Sequence, residues 1–215
     1  MKIVTVSYYD KDTKKYLYSR NVEYEGTVSE FSKTLENATI KSLTQKMKDM
    51  AVIGFNGFIV FDEKKKKWIF DFSDFDRDAY LKDVFYDIKC LVRQDIGKFA
   101  TIEYNGHVFD ARQKYFDRYV QKLVLAEHGV VNYPIEIPDE NDILVRFENE
   151  AEFKSFIKKI NDLYSSFYDV GRLIKFGGEV EGIKVIPLSE YSTEDLITTP
   201  FDQVYEQIKE LRQIN

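Results

Sequence analysis

The chain has one cysteine and only two histidines in 215 residues, and each scarcity closes a class of function. A lone Cys90 leaves no internal disulfide framework and fits a reducing compartment. His107 and His128 have no further imidazole or thiolate at ligand spacing, so a structural zinc site lacks its donors. No uninterrupted apolar stretch approaches the roughly 20 residues that span a bilayer. Met1 is followed by a mixed, strand-like segment, and no secretory signal is expected. Phosphate-cradling loops are missing too: Gly177-Gly178 is a pair with no Lys-Ser or Lys-Thr behind it. No Gly-x-Ser-x-Gly elbow is present. The chain therefore carries no familiar catalytic, cofactor or metal-binding signature, and none of the three is expected.

Aromatic residues are plentiful, at 15% of the chain, with 17 Phe and 15 Tyr against one Trp. Tyrosine joins a large apolar body to a polar tip and recurs at protein contacts, although an AT-rich coding bias would raise the same residues. The net charge of -6 gives no excess of Lys and Arg to displace phosphate counterions, so direct nucleic-acid binding is not expected.

Alternating β-branched and aromatic residues predict a strand over 3–9 and a returning strand over 16–24. Thr27 and Glu30 have capping-box spacing and predict a helix within 28–50. The apolar run 51–61 reads as a strand with Gly54 and Gly57 at a bulge or a close backbone approach, followed by a hairpin whose tip is Asp62-Glu63-Lys64-Lys65-Lys66-Lys67. That tip reads as solvated, in preference to a phosphate contact. Apolar spacing of three and four predicts helices over 79–95, 110–128 and 149–168, with Asp110 and Asn149 as N-caps. Asn105-Gly106 is a strong hairpin turn signal. The glycines at 171, 177, 178 and 182 suggest an irregular stretch. A strand near 183–186 follows, then a final helix capped by Thr199 with Pro200 at its first position.

The class is α+β: a β-rich module over 1–75, a helix–hairpin–helix–strand–helix module over 76–176, and a C-terminal strand and helix over 177–215. Asp71, Asp74, Asp76 and Asp78 are spaced for a cation, but an EF-hand would need a central glycine and a closing glutamate. Acids opening a helix account for them better. Cys90, between Ile88 and Leu91, reads as a partly buried structural thiol. Tyr8, Tyr9, Tyr16, Tyr18, Phe201 and Tyr205 are the candidate interface residues. Asn105, Gly106, Asp110 and Asn149 are candidate turn and cap residues.

The run Ile102-Glu103-Tyr104-Asn105-Gly106-His107-Val108-Phe109-Asp110-Ala111-Arg112-Gln113 resembles a strand, Asn-Gly, Phe-Asp signature in a domain of unknown function found in bacteriophage tail-associated proteins. The family order of helix, hairpin, helix, extended segment and long helix is kept over residues 81–174. The resemblance implies a virion component of tail, connector or baseplate, made in the bacterial host cytoplasm. It would contact other phage structural proteins and copies of itself, as a homo-oligomer or ring, with no membrane partner. It transfers no catalytic residue. Two other readings compete: a phage-encoded inhibitor that binds a host or defence protein through an acidic surface, and a metal-dependent hydrolase or nuclease using the 71–78 carboxylates.

Overall fold

The computed structural model describes residues 1–214 and is a mixture of helices and strands. It divides into two compact units: residues 1–77 with 192–199, and residues 78–191 with 200–214. The expected C-terminal segment over 177–215 is therefore not a separate module. Its middle belongs to the first unit, and its two flanks belong to the second.

In the first unit, β1 (Lys2–Tyr9) and β2 (Tyr16–Tyr24) form an antiparallel ribbon, and β3 (Ala38–Thr39) pairs briefly with β1, giving the order β2-β1-β3. The capping box forms: Thr27 and Glu30 bond reciprocally and start α1 (Val28–Lys33). The single helix expected within 28–50 is instead two. α1 ends after six residues, and a second helix, α2 (Gln45–Val52), starts where Thr44 Oγ1 accepts the Met47 N–H. Gly54, with φ of +89°, is the turn out of α2 and not a strand bulge. Gly57 lies in a 3-10 turn before β4 (Ile59–Asp62). β5 (Lys67–Phe70) returns antiparallel to β4 across the charged tip.

The core of this unit gathers Tyr9, Leu43, Met47, Ile59, Phe61 and Trp68. The Tyr9 and Phe61 rings stack at 5.1 Å, and Trp68 Nε1 donates to the Lys41 carbonyl at 2.8 Å, which satisfies the one polar atom of the indole. Burying a side chain of this size is worth about 1.5–3 kcal/mol.

The second unit begins with α3 (Arg77–Gln94), which overlaps the boundary by one residue and runs into a π-helical turn over Asp95–Phe99. β6 (Thr101–Tyr104) and β7 (His107–Asp110) form the predicted hairpin, with Asn105 and Gly106 both at positive φ, +52° and +80°. α4 (Gln113–Glu127), the pair β8 (Ile135–Pro138) and β9 (Leu144–Phe147), and α5 (Glu150–Phe176) follow.

Asn149 caps α5 by accepting the Glu152 N–H at 3.0 Å. This helix buries Phe153, Phe156, Ile160, Tyr164, Phe167, Val170 and Ile174 on one stripe. It continues past the expected end near 168, through the buried Gly171, to Phe176. A Cβ at Gly171 would meet Val92 at 3.5 Å and Ile88 at 3.6 Å on α3, which are ordinary contact distances. β10 (Gly178–Val180) and β11 (Ile183–Val185) form a short hairpin, α6 (Thr193–Thr198) belongs to the first unit, and α7 (Phe201–Leu211) belongs to the second. Thr199 ends α6, where its hydroxyl donates to the Asp195 carbonyl at 2.6 Å, and does not cap α7.

Candidate protein interface

Two of the expected interface residues are interior. Tyr9 is 8% exposed and holds the first core, where burial, with Glu63 nearby, raises its phenol pKa. Tyr205 is fully buried. Its hydroxyl donates to Asp95 Oδ2 at 2.8 Å, and burial next to that carboxylate raises its pKa strongly. Lys209 Nζ, 3.2 Å from the same oxygen, completes a network that ties α7 to the π-helical turn. Phe201 is half-buried against Tyr191 at 5.5 Å.

Tyr8, Tyr16 and Tyr18 reach the surface, but not together. The ladder pairs Tyr8 with Tyr18 and Tyr9 with Tyr16, which leaves Leu17 as one extra residue in β2. Without this bulge, Tyr16 and Tyr18 would share a face at the period of two. With it, Tyr16 turns with Tyr9 toward the core, and Tyr18 stacks on Tyr8 at 4.8 Å on the opposite face. Arg20 lies over the Tyr8 ring and donates from Nε to its hydroxyl at 3.1 Å.

The bulge also makes a groove of about 600 Å³ on the ribbon face toward α2. Its floor is hydroxyl: Ser7 and Ser19 Oγ are 2.8 Å apart, and the Tyr16 hydroxyl donates to Ser19 at 3.1 Å. Leu17 on the ribbon and Val52 at the end of α2 are two exposed apolar lips, at 49% and 85%. Lys48 is the only side chain in the lining with a full charge at neutral pH. No imidazole or carboxylate lines the groove, and its ionisable side chains are Lys48, Tyr16 and Tyr18. β2 is an edge strand, and among the described residues its backbone beyond Tyr16 bonds only to β1.

The segment that resembles the phage family is mostly scaffold. Phe109 is fully buried between Phe156 and Phe147, at 4.8 and 6.2 Å. Asp110 does not cap α4, whose N-cap is Arg112. Its Oδ1 accepts the Arg112 N–H at 3.0 Å, and the carboxylate grips the Arg112 guanidinium, so it braces the turn before the helix. Tyr119 and Tyr164 donate their hydroxyls to the carbonyls of Asp110 and Ala111, and burial pushes the Tyr119 phenol up to about 12. His107 Nδ1 meets Asp139 Oδ2 at 2.9 Å. Asp139 is nearly buried and also accepts the N–H groups of Asn141 and Ile143. The His107 hydrogen bond, helped by these two, holds the Asp139 carboxyl below the usual range.

Among the described residues, no three His, Cys, Asp or Glu side chains gather in a geometry that could hold a metal ion. Asp71 instead accepts the Ser73 N–H at 3.0 Å, and Asp74 reaches Lys15 at 3.9 Å. Cys90 is exposed, not partly buried, because its position on α3 falls off the stripe formed by Val84, Ile88 and Val92. His128 ends α4 and is exposed. Among the described residues no helix is long and apolar enough to cross a membrane. Sequence reasoning missed the bulge at Leu17, which is set by the register of β2 against β1. No protein-family model matches the chain, no curated protein matches it, and no solved structure does.

Proposed function

We propose that the protein is a non-enzymatic bacteriophage virion structural or assembly component, of tail, connector or baseplate, that works through protein–protein contacts. The observation that carries this reading is the groove beside the open edge of β2. Two large apolar side chains, Leu17 and Val52, stand exposed over a hydroxyl floor, next to a strand with a free hydrogen-bonding edge. Exposed apolar surface rimmed by polar groups marks association sites, and a free edge accepts an extended segment by strand addition. The phage setting is supported by the resemblance over residues 81–174. An inhibitor acting through an acidic surface ranks behind it, because these features sit on the unit that is balanced in charge.

Leu17→Asp combined with Val52→Asp tests the reading. Both positions are exposed, so the fold should persist by circular dichroism and melting. Phage production supported only by this variant is expected to fall, with unassembled intermediates accumulating. Normal particle yield from a folded variant would remove the groove from the account.

A further inference from the structure

Two turns at one edge of the first unit are built alike. In each, one aspartate Oδ1 accepts the N–H groups two and three residues further on. Asp10 takes those of Asp12 at 3.1 Å and Thr13 at 2.7 Å, and Asp62 takes those of Lys64 at 3.0 Å and Lys65 at 2.9 Å. Further along each turn stands a lysine in left-handed backbone, Lys14 with φ of +59° and Lys66 with φ of +51°. Glycine, asparagine and aspartate take that conformation more readily, so the turn geometry does not select lysine. The two turns are joined side by side. Phe61 N–H donates to the Lys14 carbonyl at 3.0 Å, Lys15 and Val60 form a β-bridge, and Lys14 Nζ pairs with Glu63 at 3.0 Å.

The charges of these turns do not cancel. Lys14, Lys15 and Lys65 pair with Glu63, Asp74 and Asp62, and the Asp10 carboxylate is held by its own turn. Among the described residues Lys11, Lys64, Lys66 and Lys67 make no ion pair, and all four are exposed. Against them stands one carboxylate of the two turns, Asp12, that has no ion pair among the described residues. Neither 10–15 nor 62–67 contains a large apolar residue. The chain's net charge of -6 belongs to the second unit, since the first is balanced.

We propose that this lysine edge is a sequence-independent contact for the phosphate backbone of double-stranded DNA. Free ammonium groups call for an anionic partner, and the missing apolar surface narrows its class. Protein interfaces gather aromatic and apolar side chains at their centre and are depleted of lysine. Stable attachment to a lipid surface takes apolar insertion besides basic charge. A phosphate backbone needs neither, because point charges alone release its counterions. The major groove of DNA also admits a two-stranded ribbon, the form that β4 and β5 take. The contact goes beyond the assembly reading and uses none of the residues that line the groove beside β2.

The test is binding of the full chain to a short labelled duplex of random sequence, followed by fluorescence anisotropy over a salt series. Neutralising about four phosphates predicts that log K falls with log salt at a slope of about -3.6. The edge variant, K11Q with K64Q, K66Q and K67Q, should bind at least about tenfold more weakly at low salt, with a slope near zero. A matched variant, K33Q with K41Q, K98Q and K158Q, removes the same charge at exposed lysines elsewhere and should keep the wild-type slope. Unchanged melting temperatures establish that both variants keep the fold.

No binding by wild type at the lowest salt would overturn the proposal. So would a matched variant that weakens as much as the edge variant, or an edge variant that keeps the wild-type slope. Poly-L-glutamate and vesicles containing phosphatidylserine are the competing probes. Tighter binding of either than of the duplex, lost in the edge variant, would overturn it in favour of an acidic protein segment or a membrane surface.

Discussion

Individual side chains do two kinds of work in this protein, and tyrosine shows both. Tyr18 stays at the surface with its ring on Tyr8, while Tyr205 is sealed in the second core with its hydroxyl on Asp95. Tyr205→Phe keeps the ring and removes the donor to a buried carboxylate. A loss of about 1–3 kcal/mol is expected, measured by urea unfolding. Asp139 makes a pH-dependent contribution. Its carboxyl is held below the usual range by His107, so the stability it adds is full above the unfolded value of about 3.9 and disappears as pH falls through the lower folded value. Asp139→Asn should therefore melt below wild type at neutral pH, with the difference closing in acid. A gap that widened in acid would mean that the carboxylate is not the stabilising form.

At the scale of elements, local signals were legible and long-range ones were not. The Thr27–Glu30 box, the Asn149 cap and the Asn105-Gly106 turn formed because each is decided within a few residues. Asp110 was misplaced because its carboxylate is taken by Arg112, a nearby competitor that outweighs the capping preference. The length of α5 was hidden by Gly171, a residue disfavoured inside helices, which here is buried on the helix's packed face. The groove was legible only as a set of tyrosines. Its shape needed the bulge, which depends on the register between two strands.

That bulge supplies a prediction about β2. Deleting Leu17 would let Tyr16 and Tyr18 keep their partners in an unbroken ladder. Stability should change little, within about 1 kcal/mol, because the residue removed is exposed and unpaired. Association through the groove should be lost with its lip. A large drop in melting temperature would show instead that the bulge sets the fold.

For the whole molecule, the chain path matters more than the order of segments in the sequence. Residues 192–199 return to the first unit and residues 200–214 to the second. Leu196 and Ile197 are buried in one, and Tyr205 and Ile208 in the other. Truncation before Ser192 should thus damage both cores, with loss of cooperative melting by calorimetry. A sharp transition near the wild-type temperature would contradict the division.

The proposal that this chain is a part to be assembled is tested most directly by quantitative mass spectrometry of purified virions and partly built tails. The account predicts the protein in one or both, at a fixed copy number greater than one. Absence from both, with the protein recovered only in the soluble fraction of infected cells, would contradict it.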